Sequence, residues 1–166
     1  MTLSVPVRLH GIAKRFGTVV ALQGAHLELR AGEVHGVLGE NGAGKSTLLD
    51  VLAGMLQPEA GRIEIGGTVT AFRRPRDAWN VGVGMVHQHF TLVPALSVVE
   101  NLALGLRSAG WRLRLPYGAV RRRVEELSRR TGLTVPMDAR VEHLGVGDRQ
   151  RVEILKALLR EPRILI

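Results

Sequence analysis

Residues Gly39-Glu40-Asn41-Gly42-Ala43-Gly44-Lys45-Ser46-Thr47 fit G-x-x-x-x-G-K-[ST], a pattern that dictates both a local fold and a ligand. Glycines at 39, 42 and 44 allow consecutive amide N–H groups to turn inward around a phosphate instead of being screened by side chains. A helix opening directly after them adds its own unpaired N–H groups and the positive end of its dipole. Lys45 is placed to reach the β- and γ-phosphates of a nucleotide, and the Ser46 hydroxyl to hold a magnesium ion on the same oxygens. The flanks agree with this reading. Val34-His35-Gly36-Val37-Leu38 is short, apolar and β-branched, as a buried strand would be, and Leu48, Leu49, Val51, Leu52 and Met55 fall on one helical face. A glycine-rich turn without a ligand has no reason to place Lys and Ser directly after its last glycine.

The 166 residues, 45% of them hydrophobic, suffice for one α/β domain with a real core. No apolar run approaches the ~18 residues of a membrane span, and the N-terminus lacks the charged-then-apolar pattern of a signal peptide, so the expected location is cytoplasmic. The absence of cysteine excludes disulfides, thiol catalysis and cysteine-held zinc or iron–sulfur clusters. A net charge of +8 raises nucleic acid or an acidic membrane surface as partners. The charge is concentrated in Arg107, Arg112, Arg114, Arg121, Arg122, Arg123, Arg129 and Arg130, among which only Glu125 and Glu126 intervene. With 4% aromatics there is little to stack on bases. A solvated helix face, or a face against another protein, is the expected role of these arginines rather than a nucleic-acid site.

In chain order, Val5 to His10 and Ala25 to Arg30 read as strands, the second half-exposed and antiparallel, with Ala31-Gly32-Glu33 turning into the strand at 34–38. Between the first two lies Phe16, a lone aromatic beside basic residues and glycine, which either stacks on an adenine ring or belongs to the core. Pro58 and Gly61 stop the helix after the phosphate loop, and Gly66-Gly67 joins Arg62–Ile65 to Thr68–Ala71 as a hairpin. Pro75 to Asn80 is one short helical turn, and Val81 to Val86 a buried strand delivering His87-Gln88-His89-Phe90 to its carboxyl end, where ligands of parallel sheets gather. Gln88 is therefore a candidate for the nucleotide's metal or attacking water. His87 and His89 could converge on a metal, but no Asp, Glu or Cys close by completes a set, and an exposed contact role is the simpler expectation. Ser97 and Glu100 form a capping-box pattern that starts a helix at Val98 running to about Gly105. Gly110 to Pro116 is a connector, and Tyr117 to Arg130 an amphipathic helix with Val120, Val124 and Leu127 inward. After an irregular stretch from Leu133 to His143, the glycine-spaced loop at 144–150 runs into a helix with Val152, Leu155, Leu158 and Leu159 inward, a second helix N-terminus able to face an anion. Pro162 ends that helix, and Arg163 to Ile166 begins an apolar strand.

Phe16, the loop at 39–47 (Walker A), Gln88 after a strand, and Leu144-x-x-Gly147-x-x-Gln150-Arg151 occur in an order that resembles the nucleotide-binding domain of ATP-binding-cassette (ABC) transporters, over essentially the whole chain. The segments 85–90, 92–94, 100–101 and 147–158 resemble the ATPases of simple-sugar and nucleoside importers, and within that group the first of two domains in one polypeptide. The resemblance implies a P-loop NTPase fold of ABC type, α/β with a mixed or parallel sheet core, N-terminal antiparallel strands and an inserted helical subdomain. Residues 1–96 and 151–166 would form the nucleotide-binding core and 97–150 the helical subdomain, together one ATPase domain. It further implies Phe16 on adenine, the loop amides from Gly39 through Glu40, Asn41, Gly42, Ala43 and Gly44 to Thr47 with Lys45 on the phosphates of ATP, Ser46 on Mg2+, and Gln88 on Mg2+ or water. Leu144, Gly145, Val146, Gly147 and Gln150 would cap the γ-phosphate of an ATP held by a second ABC ATPase domain. Implied partners are that second domain, in the same chain or as a dimer, the transmembrane permease subunits and, indirectly, an extracellular substrate-binding protein. The implied place is the cytoplasmic face of the plasma membrane, held there peripherally through the permease.

Two departures from the family pattern bear on chemistry. Gly145 stands where the family usually has serine, so only its backbone can reach a γ-phosphate and weaker contacts across the pair are expected. The strand at 163–166 does not continue into the Walker B aspartate and catalytic glutamate, nor is the later switch histidine present, which reads as a C-terminally incomplete domain. Such a chain is expected to bind ATP but to hydrolyse it poorly by itself, hydrolysis with coupling to import belonging to the intact protein. Two other classes fit the same residues: a non-catalytic ATP-binding or regulatory module, and a soluble ABC-type ATPase acting on nucleic acid.

Overall fold

The computed structural model describes residues 7–106 and 117–166. Val5 and Pro6 of the first expected strand, the connector Gly110 to Pro116 and Arg107, Arg112 and Arg114 of the basic stretch lie outside the described residues. The described residues form two compact units, one of residues 7–83 with 166, the other of residues 84–106 and 117–165.

The first unit is built on a four-stranded antiparallel sheet in the order β2-β1-β3-β4, formed by β1 (Val7–Phe16), β2 (Val19–Leu29), β3 (Ala60–Ile65) and β4 (Thr68–Thr70). Alternation puts Val7 and Leu9 on the buried face. The ladder slips between Leu9 and Ile12, so Ile12 rather than Gly11 follows them inward, as a bulge permits. β3 and β4 are joined by Gly66 and Gly67 at φ 60° and 79°, two positive values in succession that match the right-handed twist of a tight hairpin. Leu48, Val51 and Leu52 of α1 (Lys45–Leu52) are buried, and this helix packs against β1 and β2. Met55, expected on the same face, lies beyond the helix C-cap and is exposed. The short α2 (Pro75–Asn80) follows, with Pro75 in its first turn.

The segment leading into the phosphate loop departs from expectation. Residues 34–38 form no strand, and Val34 and Leu38 are almost wholly exposed, the latter at 94%. A buried parallel strand owes its burial to strands on both edges and cover on both faces. Among the described residues none pairs with 34–38, so its apolar character alone does not bury it.

In the second unit, α3 (Val98–Leu106), α4 (Tyr117–Thr131) and α5 (Val146–Leu158) pack on one another around Val98, Leu102, Val120, Val124, Val152 and Leu155. The capping box forms as its pattern requires: Ser97 N–H and its hydroxyl donate to Glu100 Oε2 at 2.7 Å each, and Glu100 N–H returns to Ser97 Oγ at 3.3 Å. Leu158 is only half-buried, while Leu159, the C-cap residue of α5, is buried. The strand expected at 81–86 is reduced to β5 (Val83–Gly84), which pairs with β6 (Ile164–Leu165).

Candidate functional site

In the first unit the loop from Gly39 to Gly44 ends in the first turn of α1, and Lys45 folds back across it. Its ammonium donates to the carbonyls of Gly39 at 2.8 Å and Glu40 at 2.7 Å. Within the loop, Ala43 N–H bonds the Glu40 carbonyl at 3.2 Å. Gly44 is the N-cap of α1 at φ 84°, and a Cβ there would lie 2.6 Å from the Ala21 carbonyl oxygen and 2.8 Å from Leu22 Cδ2. β2 is thus the floor on which the loop rests, and only glycine fits. No side chain caps α1 and no acid occupies its first turn, so its leading amides and its dipole are free to face an anion. Glu40, Asn41, Gly42, Ala43 and Ser46 are exposed, and Thr47 is half-buried. Phe16 closes β1 with 47% of its surface exposed and the Lys14 ammonium 5.7 Å from its ring centroid. It is not a core residue.

The second unit carries the remaining candidates. Gln88 and His89 are exposed just after β5, and His87 is half-buried. Among the described residues no group of three or more His, Cys, Asp or Glu is placed to hold a metal. The chain leaving Gln88 is held by two buried polar side chains that sequence reasoning did not single out. Asn101 of α3 accepts from Val93 N–H at 2.7 Å and donates to the carbonyls of Val93 at 3.1 Å and Ser97 at 3.0 Å. Glu153 of α5 accepts from the N–H of Thr91 and, at 2.9 Å, from its hydroxyl. The available signal was an acid set between Val152 and Leu155 on the inward side of a helix, a place that costs free energy unless a partner waits there.

Gly145 is the extended N-cap of α5 (φ −65°, ψ 163°), Leu144 beside it is buried, and Val146 is 72% exposed. A Cβ at Gly145 or Gly147 would meet nothing within 4 Å, so the missing serine hydroxyl is not a steric necessity. Arg149 reaches back to the Glu142 carbonyl at 3.0 Å, and its Nε is buried without a hydrogen-bond partner. Gln150 is exposed. Asp148, in the first turn, also escaped sequence reasoning. Its carboxylate opposes an anion at this helix end, but Arg151 neutralises it at 2.6 Å.

Comparison with known proteins shows the family. Residues 22–166 match the family model described as ABC transporter. Among curated relatives, the nucleoside import ATP-binding protein NupA of Lactococcus lactis subsp. cremoris is 45% identical over 160 residues, covering 96% of this chain and 31% of that protein. The ribose import ATP-binding protein RbsA 2 of Rubrobacter xylanophilus is 43% identical over 164 residues, covering 98% and 32%. The chain therefore spans about a third of the length of these curated relatives. Among solved structures, the ADP conformation of MJ1267, an ATP-binding cassette of an ABC transporter, superposes with TM-score 0.79 at 26% identity, covering 97% of this chain and 67% of that one. cbiO1 of Clostridium perfringens, part of the transporter complex cbiONQ, gives TM-score 0.75 at 29% identity, covering 96% and 63%. With a phosphate loop seated on an antiparallel sheet, a helical block ending in a glycine-spaced helix N-terminus, and a family match running from β2 to the last residue, this chain belongs to the ABC transporter family and has its P-loop NTPase fold.

Proposed function

We propose that this chain is the ATP-binding part of an ABC importer for a simple sugar or a nucleoside, the first of two such domains in its polypeptide. The observation that carries ATP binding is the Lys45 ammonium held over the Gly39 and Glu40 carbonyls beside an uncapped helix N-terminus. A lysine so placed exchanges two neutral carbonyl partners for β- and γ-phosphate oxygens, a gain that an exposed loop leaves open to a ligand. Phe16 stacks on the adenine. Ser46 and Gln88 offer a hydroxyl and an amide oxygen, hard donors of the kind magnesium takes, and both side chains are exposed. A magnesium ion bound with the nucleotide would neutralise charge on the transferring phosphoryl group. Gln88 orients the attacking water, and residues 144–150 cap an ATP held by the second domain.

In this reading residues 1–96 and 151–166 serve nucleotide binding and 97–150 present the capping loop. ATP and water become ADP and phosphate in the intact protein, and closure of the paired domains drives the permease from the cytoplasmic face of the membrane. The names of the relatives support the sugar or nucleoside cargo. Among the described residues no helix is long and apolar enough to cross a membrane. Lys45→Ala in the full-length protein is expected to abolish ATP binding by calorimetry while the melting temperature holds. Unchanged affinity would overturn the reading.

A further inference from the structure

Glu153 is 4% exposed, and a buried carboxylate persists only when its oxygens are paired. Its partners are Thr91, 62 residues upstream, and Lys156, one turn further along its own helix. Oε1 accepts the Thr91 N–H and hydroxyl, and Oε2 lies 3.3 Å from the same hydroxyl and 3.4 Å from the Lys156 ammonium. Lys156 completes the clasp by donating to Thr91 Oγ1 at 2.6 Å and to the Thr91 carbonyl at 3.3 Å. Both backbone groups of Thr91 and its side chain are thus held by two residues of one helix, spaced three apart on the same face. The Lys156 stem is itself fixed, since it runs so close over Gly105 of α3 that a Cβ there would lie 3.1 Å from its Cγ.

The two ends of this clasp are functionally unlike. Thr91 follows Gln88 by three residues. Glu153 stands eight residues into a helix whose N-cap is Gly145, about 12 Å along a rigid rod. We propose that Glu153, with Lys156, is a positioning residue that locks the Gln88 segment to the capping loop at 144–150, so that the group facing the domain's own ATP and the loop facing the partner's ATP move as one body. This rests on the roles proposed above for Gln88 and residues 144–150. As positioning residues, Glu153 and Lys156 act through Thr91. A hydrophobic pair of similar size would hold α5 in the core equally well, but it would not fix the backbone of residue 91 by both its N–H and its carbonyl.

The test uses Thr91→Val, which removes the hydroxyl shared by Glu153 and Lys156 while keeping the side chain's shape and the backbone N–H, and Thr91→Ser, which keeps the hydroxyl. In the full-length protein, spin labels on cysteines replacing His89 and Val146, both exposed, report the distance between the two segments without nucleotide. Thr91→Val is expected to broaden that distance distribution, and without the labels to lower kcat about tenfold while ATP affinity stays within about twofold. Thr91→Ser is expected to restore both. Glu153→Gln is expected to act as Thr91→Val does, and if it fails to fold, Thr91→Val decides alone. An unchanged distribution with unchanged kcat overturns the proposal, and so does a parallel loss of kcat, ATP affinity and melting temperature, which would mark a packing role. Persistent ATP binding by Lys45→Ala would instead overturn the functional reading, and the label distances would still judge the clasp.

Discussion

At Gly44 the backbone has φ 84° and a Cβ would press on the Ala21 carbonyl oxygen, whereas Gly145, also a helix N-cap, has φ −65° and open space around its missing Cβ. The same residue type at the same helical position therefore carries opposite consequences. A side chain in the left-handed region costs about 1–2 kcal/mol before any clash. Gly44→Ala is expected to lower the melting temperature by several degrees and to weaken ATP binding, since the loop must lift from β2 to make room. Gly145→Ser should do neither. Serine is the better N-cap by a few tenths of a kcal/mol, so thermal unfolding should be unchanged or slightly later, and on the capping role proposed for this loop nucleotide-driven pairing with a second domain should strengthen. Scanning calorimetry of both variants checks the contrast, and equal destabilisation would contradict the open geometry at Gly145.

Among the elements, α3 shows how a local code reaches stability. Glu100 is more acidic than a free carboxyl, first because the Ser97 hydroxyl donates to it and then because the Ser97 N–H does. A carboxylate whose pKa is lowered on folding adds stability at every pH above its unfolded value, near 4.5, and that contribution disappears as the pH falls through the folded value. Ser97→Ala, which loses a cap worth about 1 kcal/mol, should therefore melt below the parent at neutral pH. The gap should narrow in acid as Glu100 takes up its proton. A gap that stays constant into the acid range would remove Glu100 from the account. This capping box was legible in the sequence because all of its partners lie within one turn. So were the Gly66-Gly67 hairpin, the apolar stripe of α4 and the phosphate loop, each a short-range pattern with one physical solution. Segment 34–38 was not, because its burial is a property of neighbours rather than of its own residues. For the Thr91–Glu153 clasp only half was legible: the inward place of Glu153 called for a partner, but no local pattern pointed to Thr91, 62 residues upstream.

Taken as a whole, the molecule sets charge against exposed apolar surface. The chain carries +8, while Val34 and Leu38 stand almost fully exposed in the segment leading into the phosphate loop, with Phe16, Val19 and Val20 on the β1–β2 hairpin of the same unit. Apolar surface of this kind promotes association, and net charge opposes it by repulsion between copies. At low ionic strength repulsion reaches far, because the screening length is about 30 Å at 0.01 M salt, but it shrinks to about 3 Å at 1 M. Salt also strengthens apolar contacts when the anion is sulfate. The 166-residue chain is therefore expected to be monodisperse in low salt and to self-associate as salt rises, sooner in sulfate than in chloride, by light scattering or sedimentation. Val34→Ser with Leu38→Ser should move the onset to higher salt without altering net charge. If the doubly substituted chain associates at the same salt concentration, the apolar segment is not the contact. If association weakens with salt instead, attraction between the basic surface and acidic side chains governs it.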